Sequence, residues 1–434
     1  MSSRKSLTVW LALAAGVVLT MTTSVLAASH EKVLHSFDSN GKDGYYPSSA
    51  LISDADGNLY GTTQVGGTFC GIGCGTVFEL TPTTTGKWDR RILHSFNGKD
   101  GANPFSALIF DSTGNLYGTT SQGGNLSGCG GVGCGVVFKL APDANGMWTE
   151  TVLHVFNEKN GAIPYASLVF DSAGNLYGTT VFGGNIESSQ CGGAEAQKRI
   201  PQNIPGCGVV FELSPGTDGK WTTRVLHAFN PTYNANDGAF PYASLILDSV
   251  GNLYGTTLLS GTGSGTVFRL TPAKDGGWNE KVLHNFDGTD GAYPYASLLF
   301  DTAGTLYGTT EIGGAFRMGT VFELIPRAND RWEHVTLHNF SGNDDGAYPN
   351  GLIFDRAGNL YGTTSDDGIN NQGTVFRLTP QNSGKWSETV LFKFNGKDGA
   401  HPQASLILDA AGNLFGTTVN GGASGFGSVF ELTP

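Results

Sequence analysis

Past residue 27 this sequence has no long apolar run, and it is poor in positive charge, with 25 Lys and Arg against 37 Asp and Glu in 434 residues. The first absence leaves no candidate membrane span in the body of the chain. The second argues against nucleic acid or an anionic membrane as partner, since both are held by neutralising their phosphates. It also weighs against a polyanionic glycan. Cysteine is scarce, six in all, and no His recurs beside the six to complete a zinc shell. Nothing in the sequence calls for a metal or another cofactor. What the chain has in plenty is glycine, 65 residues, about twice the usual share of about 7% and suited to many tight turns.

The opening 27 residues have the shape of a secretory leader: Arg4 and Lys5, an apolar stretch from Leu7 to Leu19, then small residues up to Val25-Leu26-Ala27. Cleavage before Ala28 would leave 23 basic against 37 acidic residues, a formal charge of −14. A single domain, 28–434, is then expected outside the cytoplasm, secreted or periplasmic.

A heptapeptide, Gly-Asn-Leu-Tyr-Gly-Thr-Thr or a near copy, begins at Gly57, Gly114, Gly174, Gly251, Gly304, Gly358 and Gly412, at intervals of 53 to 77 residues. A period that long marks a repeat architecture. Around each copy lie three more short apolar segments bounded by Gly, Pro, Asn and Asp, the pattern of strands. In order, strand A is of the Ala-Ser-Leu-Ile-Phe-Asp type (Ala107 to Asp111), B is the heptapeptide, C is Thr-Val-Phe-Glu-Leu (Thr76 to Leu80), and D is Val-Leu-His-x-Phe (Ile92 to Phe96). Four strands in about 54 residues match a propeller blade. The Asp-x-x-Gly-Asn joining A to B predicts a tight hairpin whose Asp accepts backbone N–H bonds. Calcium would need six to eight oxygens, more than one Asp per turn supplies. Within B, Leu59 and Tyr60 point to opposite faces, and Gly61 is expected to make room for a bulky side chain of the next blade.

The two ends complement one another. The chain past the leader opens with a lone D strand, Val33 to Phe37, and closes on an A-B-C set with no D after it. An open solenoid would leave edges needing caps. The expected fold is therefore all-β: a seven-bladed β-propeller of four antiparallel strands per blade, closed by the N-terminal strand (33–37) completing the last blade.

The cysteines sit in pairs, Cys70 with Cys74, Cys129 with Cys134 and Cys191 with Cys207, each in the B–C loop of one of the first three blades. That shared position selects one connectivity of fifteen, and export favours disulfides.

Asp-x-x-Gly-Asn-Leu-Tyr-Gly-Thr-Thr followed by Gly-Gly and Gly-Thr-Val-Phe-Glu-Leu resembles the tandem repeat of the GloVer-containing, choice-of-anchor bacterial proteins, over nearly all of residues 31–434. The resemblance implies bacterial export and a β-propeller, often followed by a C-terminal sorting segment. It supplies no reaction and no catalytic residue. This sequence ends at Pro434 without such a segment, so a free exported form, monomeric, is expected in place of a tethered one.

Six histidines, His35, His94, His154, His227, His284 and His338, hold one place in strand D, and Phe392 takes it in the seventh copy. On the outermost strand they stand apart around the rim, and a Phe in the same place indicates packing. The tryptophans six residues earlier, Trp88 to Trp386, are assigned to blade structure too. Function is sought where the repeats disagree, on the face formed by the D–A and B–C loops. The D–A loops carry Asp-Gly-Ala-x-Pro, and the next residue varies: Ser48, Phe105, Tyr165, Tyr242, Tyr295, Asn350 and Gln403. Aromatic rings there can stack on sugar faces while amides bond hydroxyls, or they can simply wedge between adjacent loops. His401 is the one histidine in a D–A loop. The candidate ligand-binding residues are therefore Phe105, Tyr165, Tyr242, Tyr295, Asn350, Gln403 and His401.

Irregular loops point to the same side. The B–C loop of blade 3 has 26 residues between Thr180 and Cys207, with Lys198 and Arg199 in it, against 13 between Thr120 and Cys134, and the D–A loop into blade 4 is stretched over Pro231 to Asp237. Non-repeated groups able to do acid–base work are Glu187, Glu195, Glu311, Arg317, Asp366, Asp367 and His401. The reading that follows is a secreted binding or interaction propeller for a carbohydrate or other extracellular polymer. The alternatives are a glycan-active enzyme on the same face, a polysaccharide lyase or glycoside hydrolase, and a purely structural extracellular module. An acid or Tyr within about 3 to 4 Å of His401 would favour the enzyme.

Overall fold

The computed structural model describes residues 29–39, 42–71, 73–184, 191, 204–230, 237–260, 263–366 and 371–434; the expected leader, 1–27, lies outside them. Among the described residues there is no α-helix, only two short 3-10 turns at Cys129–Gly131 and Ala328–Asp330. Seven antiparallel sheets follow one another as the blades of a β-propeller. Blade 1 is typical, with A at Ile52–Ser53, B at Leu59–Thr63, C at Thr76–Pro82 and D at Trp88–Ser95.

The circle closes as its complementary ends require. Strand His30–Ser36 pairs antiparallel with Ser428–Thr433, setting Val33 against Phe430, and supplies the D strand of blade 7. Strand A is shorter than its apolar run: Ile109–Phe110 pairs with Leu116–Tyr117, while Ser106 to Leu108 runs past the end of the ladder. There the chain turns to neighbouring blades for its bonds. The first Thr of each heptapeptide donates to a carbonyl at the start of the next blade's strand A, from Thr62 to Pro104 O at 3.3 Å round to Thr417 and Ser49 O at 3.0 Å.

Both faces of each sheet are buried against other sheets, which is why the strands are apolar on both faces. The last Phe of each D strand is wholly buried and meets edge-on the Phe of the next blade's strand C, seven times, from Phe96 on Phe138 at 5.1 Å to Phe37 on Phe78 at 5.3 Å. In five blades the heptapeptide Tyr packs on the Trp that opens strand D of the following blade, as Tyr60 does on Trp148; Phe415 and Trp88 repeat the contact across the closure. Gly61 does make room for a bulky side chain, but its owner is not the next blade. A Cβ there would lie 2.6 Å from Cζ of Phe78, the residue directly opposite on strand C of the same sheet. The cross-strand partner fills the gap because residues paired on one face of a ladder are each other's nearest neighbours. Gly61→Ala is accordingly expected to destabilise the fold by about 1–3 kcal/mol, read from denaturant unfolding.

The A–B hairpin forms as its Asp predicts. Asp54 accepts from the backbone N–H groups of Asp56 and Asn58, from the Asn58 amide and from the Tyr60 hydroxyl, at 2.8–3.0 Å. At Asp111 partial burial works against ionisation, but bonds from Asn115 and Thr113 outweigh it and hold the carboxyl at about 2.

The rim histidines do not converge on one another, and each has a partner that spacing did not reveal. His35, His94, His227, His284 and His338 face Asp43, Asp100, Asp237, Asp290 and Asp345 of the following Asp-Gly turn at 2.8–3.4 Å; His154 faces Asn160. The residue four places before each His reaches the pair of the preceding blade. Arg90 bonds Asp43 at 2.6 Å, and Thr223 bonds His154 at 2.7 Å. In four blades that residue is a glutamate, Glu31, Glu150, Glu280 or Glu388, half-buried and with one carboxylate oxygen lacking any bond. Burial first, and then the neighbouring Asp, pushes each of them up to about 7, with His94, His227 and Lys393 partly opposing at the last three.

The three disulfides join Cys70 to Cys74, Cys129 to Cys134 and Cys191 to Cys207, with Cα separations of 5.6, 5.2 and 5.3 Å.

Candidate functional site

Each Asp-Gly-Ala-x-Pro turn is built on an unusual backbone. The x residue is Tyr46, Asn103, Ile163, Phe240, Tyr293, Tyr348 or His401, and all seven have φ between 53° and 60°. Left-handed conformations of this kind cost non-glycine residues about 1–3 kcal/mol unless surroundings fix them. Here they are fixed from outside the repeat. The N–H of each x residue donates to a carbonyl in the preceding blade's B–C loop, His401 to Gln372 O at 2.9 Å and Tyr46, across the closure, to Phe426 O at 3.1 Å. In six of the seven the carbonyl also accepts from the chain just after strand B, as His401 O does from Val419 N at 3.2 Å. The D–A and B–C loops are thereby knitted into one face.

Behind this knot the two or three residues after each Pro turn towards the axis and line a cavity of about 600 Å³. All seven candidate ligand-binding residues meet there: Phe105, Tyr165, Tyr242, Tyr295, Asn350, Gln403 and His401. The aromatic arc is continuous but its rings face one another. Phe105 meets Tyr165 edge-on at 4.6 Å, Tyr165 stacks on Tyr242 at 5.4 Å, and Tyr242 stacks on Tyr295 at 4.9 Å. Wedging and display thus coexist. The inner rings cover each other, whereas Tyr295 ends the stack, because the next blade carries Asn350 at that position, and it is 45% exposed. Burial raises the Tyr242 phenol above its ordinary value, helped by Tyr165 and Glu311, and that hydroxyl is a neutral donor across the physiological range.

The polar side of the cavity divides into frame and free groups. Asn350 belongs to the frame: its amide nitrogen donates to Pro402 O at 2.8 Å and Ser365 Oγ at 3.1 Å, and its backbone N–H donates to Thr363 O. The reason is a missing residue. Blade 6 reads Pro349-Asn350-Gly351-Leu352 where other blades have one residue more between Pro and Leu; here the bridge that the Ala makes in other blades, Ala347 with Asp366, is joined by Pro349 opposite Thr364, and Ala347–Pro349 pairs with Leu360–Asp366 as a fifth strand. At Gly351 a Cβ would overlap Ser405 Oγ of blade 7, so a larger residue there would have to displace that hydroxyl. Gln403, by contrast, is exposed, with its amide free of any bond found among the described residues.

Among the acid–base candidates, Glu311, Asp366 and His401 line the cavity, whereas Arg317 does not. Glu187, Glu195 and Asp367, with Lys198 and Arg199, lie outside the described residues. His401 Nδ1 is 2.9 Å from Asp366 Oδ1 and 3.0 Å from Ser365 O, so one Nδ1–H serves both acceptors and Nε2 is left as the basic nitrogen. Sequence spacing could not anticipate this pair, since 35 positions and a blade boundary separate its members.

Among the described residues, two other groups have metal-ligating composition. Cys129 and Cys134 beside Glu158 have spent their sulfurs on a disulfide. His284, Asp290 and His334 meet at the rim, where the imidazoles stack at 4.4 Å and 11°. Parallel rings aim their lone pairs side by side and not at a common point.

The Gloeobacter/Verrucomicrobia repeat matches residues 12–193 and 263–434. The chain belongs to that family. Within this repeat family the unit seen here is a blade, and the heptapeptide is its second strand. No curated protein matches the sequence. Three solved structures are similar in outline. They are a luciferin-regenerating enzyme (11% identity, TM-score 0.44, 94% of this chain and 96% of that one), an aldose sugar dehydrogenase from Streptomyces coelicolor in its PQQ-bound form (12%, 0.41, 94% and 98%) and a glucose dehydrogenase (13%, 0.42, 93% and 99%).

Proposed function

We propose that this Gloeobacter/Verrucomicrobia-repeat propeller is an exported binding protein that holds a carbohydrate, or another extracellular polymer rich in hydroxyls, in its axial cavity. The observation that carries the reading is the outer face of Tyr295. It closes an aromatic stack on one side only and looks across a cavity that also presents Gln403, Asp366 and His401. A sugar ring laid on that face continues the stack, and its hydroxyls meet the polar groups. Three disulfides suit an oxidising compartment, and no helix among the described residues is long and apolar enough to cross a membrane.

The test is retention on insoluble polysaccharides followed by titration with oligosaccharides. Tyr295→Ala is expected to weaken binding at least about tenfold, as loss of a central aromatic anchor does, with the melting temperature little changed. Equal affinity in the variant would refute the site.

The His401–Asp366 pair supports a second reading, a glycan-active enzyme with His401 Nε2 as general base. It requires soluble products to appear from a retained polysaccharide and to vanish in His401→Ala. A purely structural module predicts a loop face without a concave polar and aromatic site, and the cavity of about 600 Å³ lined by Tyr295, Gln403 and His401 favours the binding reading over it.

A further inference from the structure

We infer that the three disulfides are positioning devices for the aromatic wall of the cavity, each fixing one ring of the arc through a main-chain hydrogen bond to the next blade. In three blades the carbonyl that holds a positive-φ turn residue belongs to the second cysteine of a pair. Cys74 O accepts from Asn103 N at 2.8 Å, Cys134 O from Ile163 N at 2.9 Å and Cys207 O from Phe240 N at 2.8 Å. Two residues beyond those turn residues stand Phe105, Tyr165 and Tyr242, the three rings that precede Tyr295 in the arc. The other four turns receive the same bond from Ser264, Met318, Gln372 and Phe426, in blades that have no cysteine, and they lead to Tyr295, Asn350, Gln403 and Ser48. Clasp and inner ring thus coincide in every blade pair.

Two further contacts set a clasp against the blade it serves. A Cβ on Gly98, in the D–A turn of blade 2, would stand 3.5 Å from Cys70 Sγ and 3.7 Å from Cys74 Sγ, so the first disulfide lies on that turn. Cys129 N donates to Glu158 Oε1 of the blade 3 turn at 3.0 Å. The first two pairs are only four and five residues apart, and cross-links that short remove little entropy from the unfolded chain. Holding the ring together is therefore a small part of what they contribute. What they fix is the direction of a carbonyl. A cysteine tethered through its side chain holds its peptide facing Asn103, Ile163 or Phe240, and the strained φ of that residue persists. The following Pro, with φ locked by its ring, passes the position on to the aromatic side chain. Tyr295 needs no clasp, because Tyr242 stacks on it at 4.9 Å. The benefit to a ligand rests on the carbohydrate reading above: a wall set before the sugar arrives has no ordering cost left when it binds.

The experiment is amide hydrogen exchange, read by mass spectrometry, on the native protein and on three variants: Cys70→Ala with Cys74→Ala, Cys129→Ala with Cys134→Ala, and Cys191→Ala with Cys207→Ala. Each variant is expected to exchange at least about tenfold faster in the D–A turn of the next blade, residues 100–104, 160–164 and 237–241 in that order. The turns at 43–47, 290–294, 345–349 and 398–402 should keep their native rates. Those four share the hydrogen-bond pattern without a clasp, so they report any general loosening. Native protection in the next blade's turn, with only the variant's own B–C loop exchanging faster, would overturn the inference, and so would equal acceleration in all seven turns. Each pair tests it independently, so a variant that does not fold is replaced by the other two. A second arm measures retention on cellulose and chitin. Where the native protein is retained, the Cys129→Ala with Cys134→Ala variant should bind at least about tenfold more weakly, and undiminished binding would again overturn the inference. Retention of the native protein on neither polysaccharide would count against the carbohydrate reading and leave the exchange pattern to decide the positioning role.

Discussion

A protein lacking residues 30–37 is expected to lose its cooperative thermal transition near room temperature or fail to fold. The truncation deletes the strand that pairs with Ser428–Thr433, exposes that strand's edge, and removes Phe37, wholly buried against Phe78 of blade 1. It also strips His35 from Asp43, to which Arg90 is bonded. Every other blade boundary would remain intact, yet blade 7 would keep only three strands, with Ser428–Thr433 as its newly exposed outer edge. Far-UV circular dichroism with a melting curve gives the readout. Phe37→Ala, a milder break at the same joint, should cost about 3–5 kcal/mol. A truncated chain that melts like the full one would mean that the closing strand adds nothing. The same peptide, residues 30–37, added in excess should then restore the transition only if it docks as the missing strand.

The second large effect concerns pH. Glu31, Glu150, Glu280 and Glu388 ionise at about 7 in the folded protein and near 4.5 when unfolded. Between these values the folded state holds more protons, so stability falls as pH rises from 4.5 to 7, and the penalty is complete above 7. Replacing all four by Gln should therefore raise the melting temperature at pH 8 and leave it little changed at pH 4. After allowance for solvent screening, about 1 kcal/mol per site is expected. His154 and His334 act in the opposite sense. Burial lowers both to about 4, so they favour folding above their ordinary value of 6.5 and withdraw that support as pH drops through 4. Comparing the quadruple variant with its parent at each pH cancels the histidine contribution. Equal gains at pH 4 and pH 8 would contradict the assignment.

Much of the ring was legible in the sequence because it is written seven times. The heptapeptide, the Asp turn and the complementary ends specify strands, hairpins and closure through local chemistry, and each copy confirms the others. What joins one blade to the next was not legible. The Thr62-type hydrogen bond, the Phe96–Phe138 contact and the His–Asp pairs link residues from 6 to 368 places apart, and invariance across repeats does not say which partner lies opposite. The reverse error at Gly61 has the same origin: its need for space is local, but the identity of the intruder depends on register. At the site, variation after each Pro picked out residues that share one cavity. It could not show that Asn350 is consumed by the frame, because that follows from a single missing residue in blade 6. Nor could it show that the aromatic rings turn their faces on one another.

The positive-φ residue before each Pro has one more consequence. Because that conformation is clamped by main-chain carbonyls of the neighbouring blade, it makes no demand on the side chain, and Tyr, Asn, Ile, Phe and His all occupy it. The wheel therefore offers seven backbone sockets of one geometry, of which those at Tyr348 and His401 reach the cavity while Ile163 and Phe240 sit in the core. A combinatorial library confined to those two and to the position two residues beyond each socket would re-tool the rim of the cavity without touching the spokes.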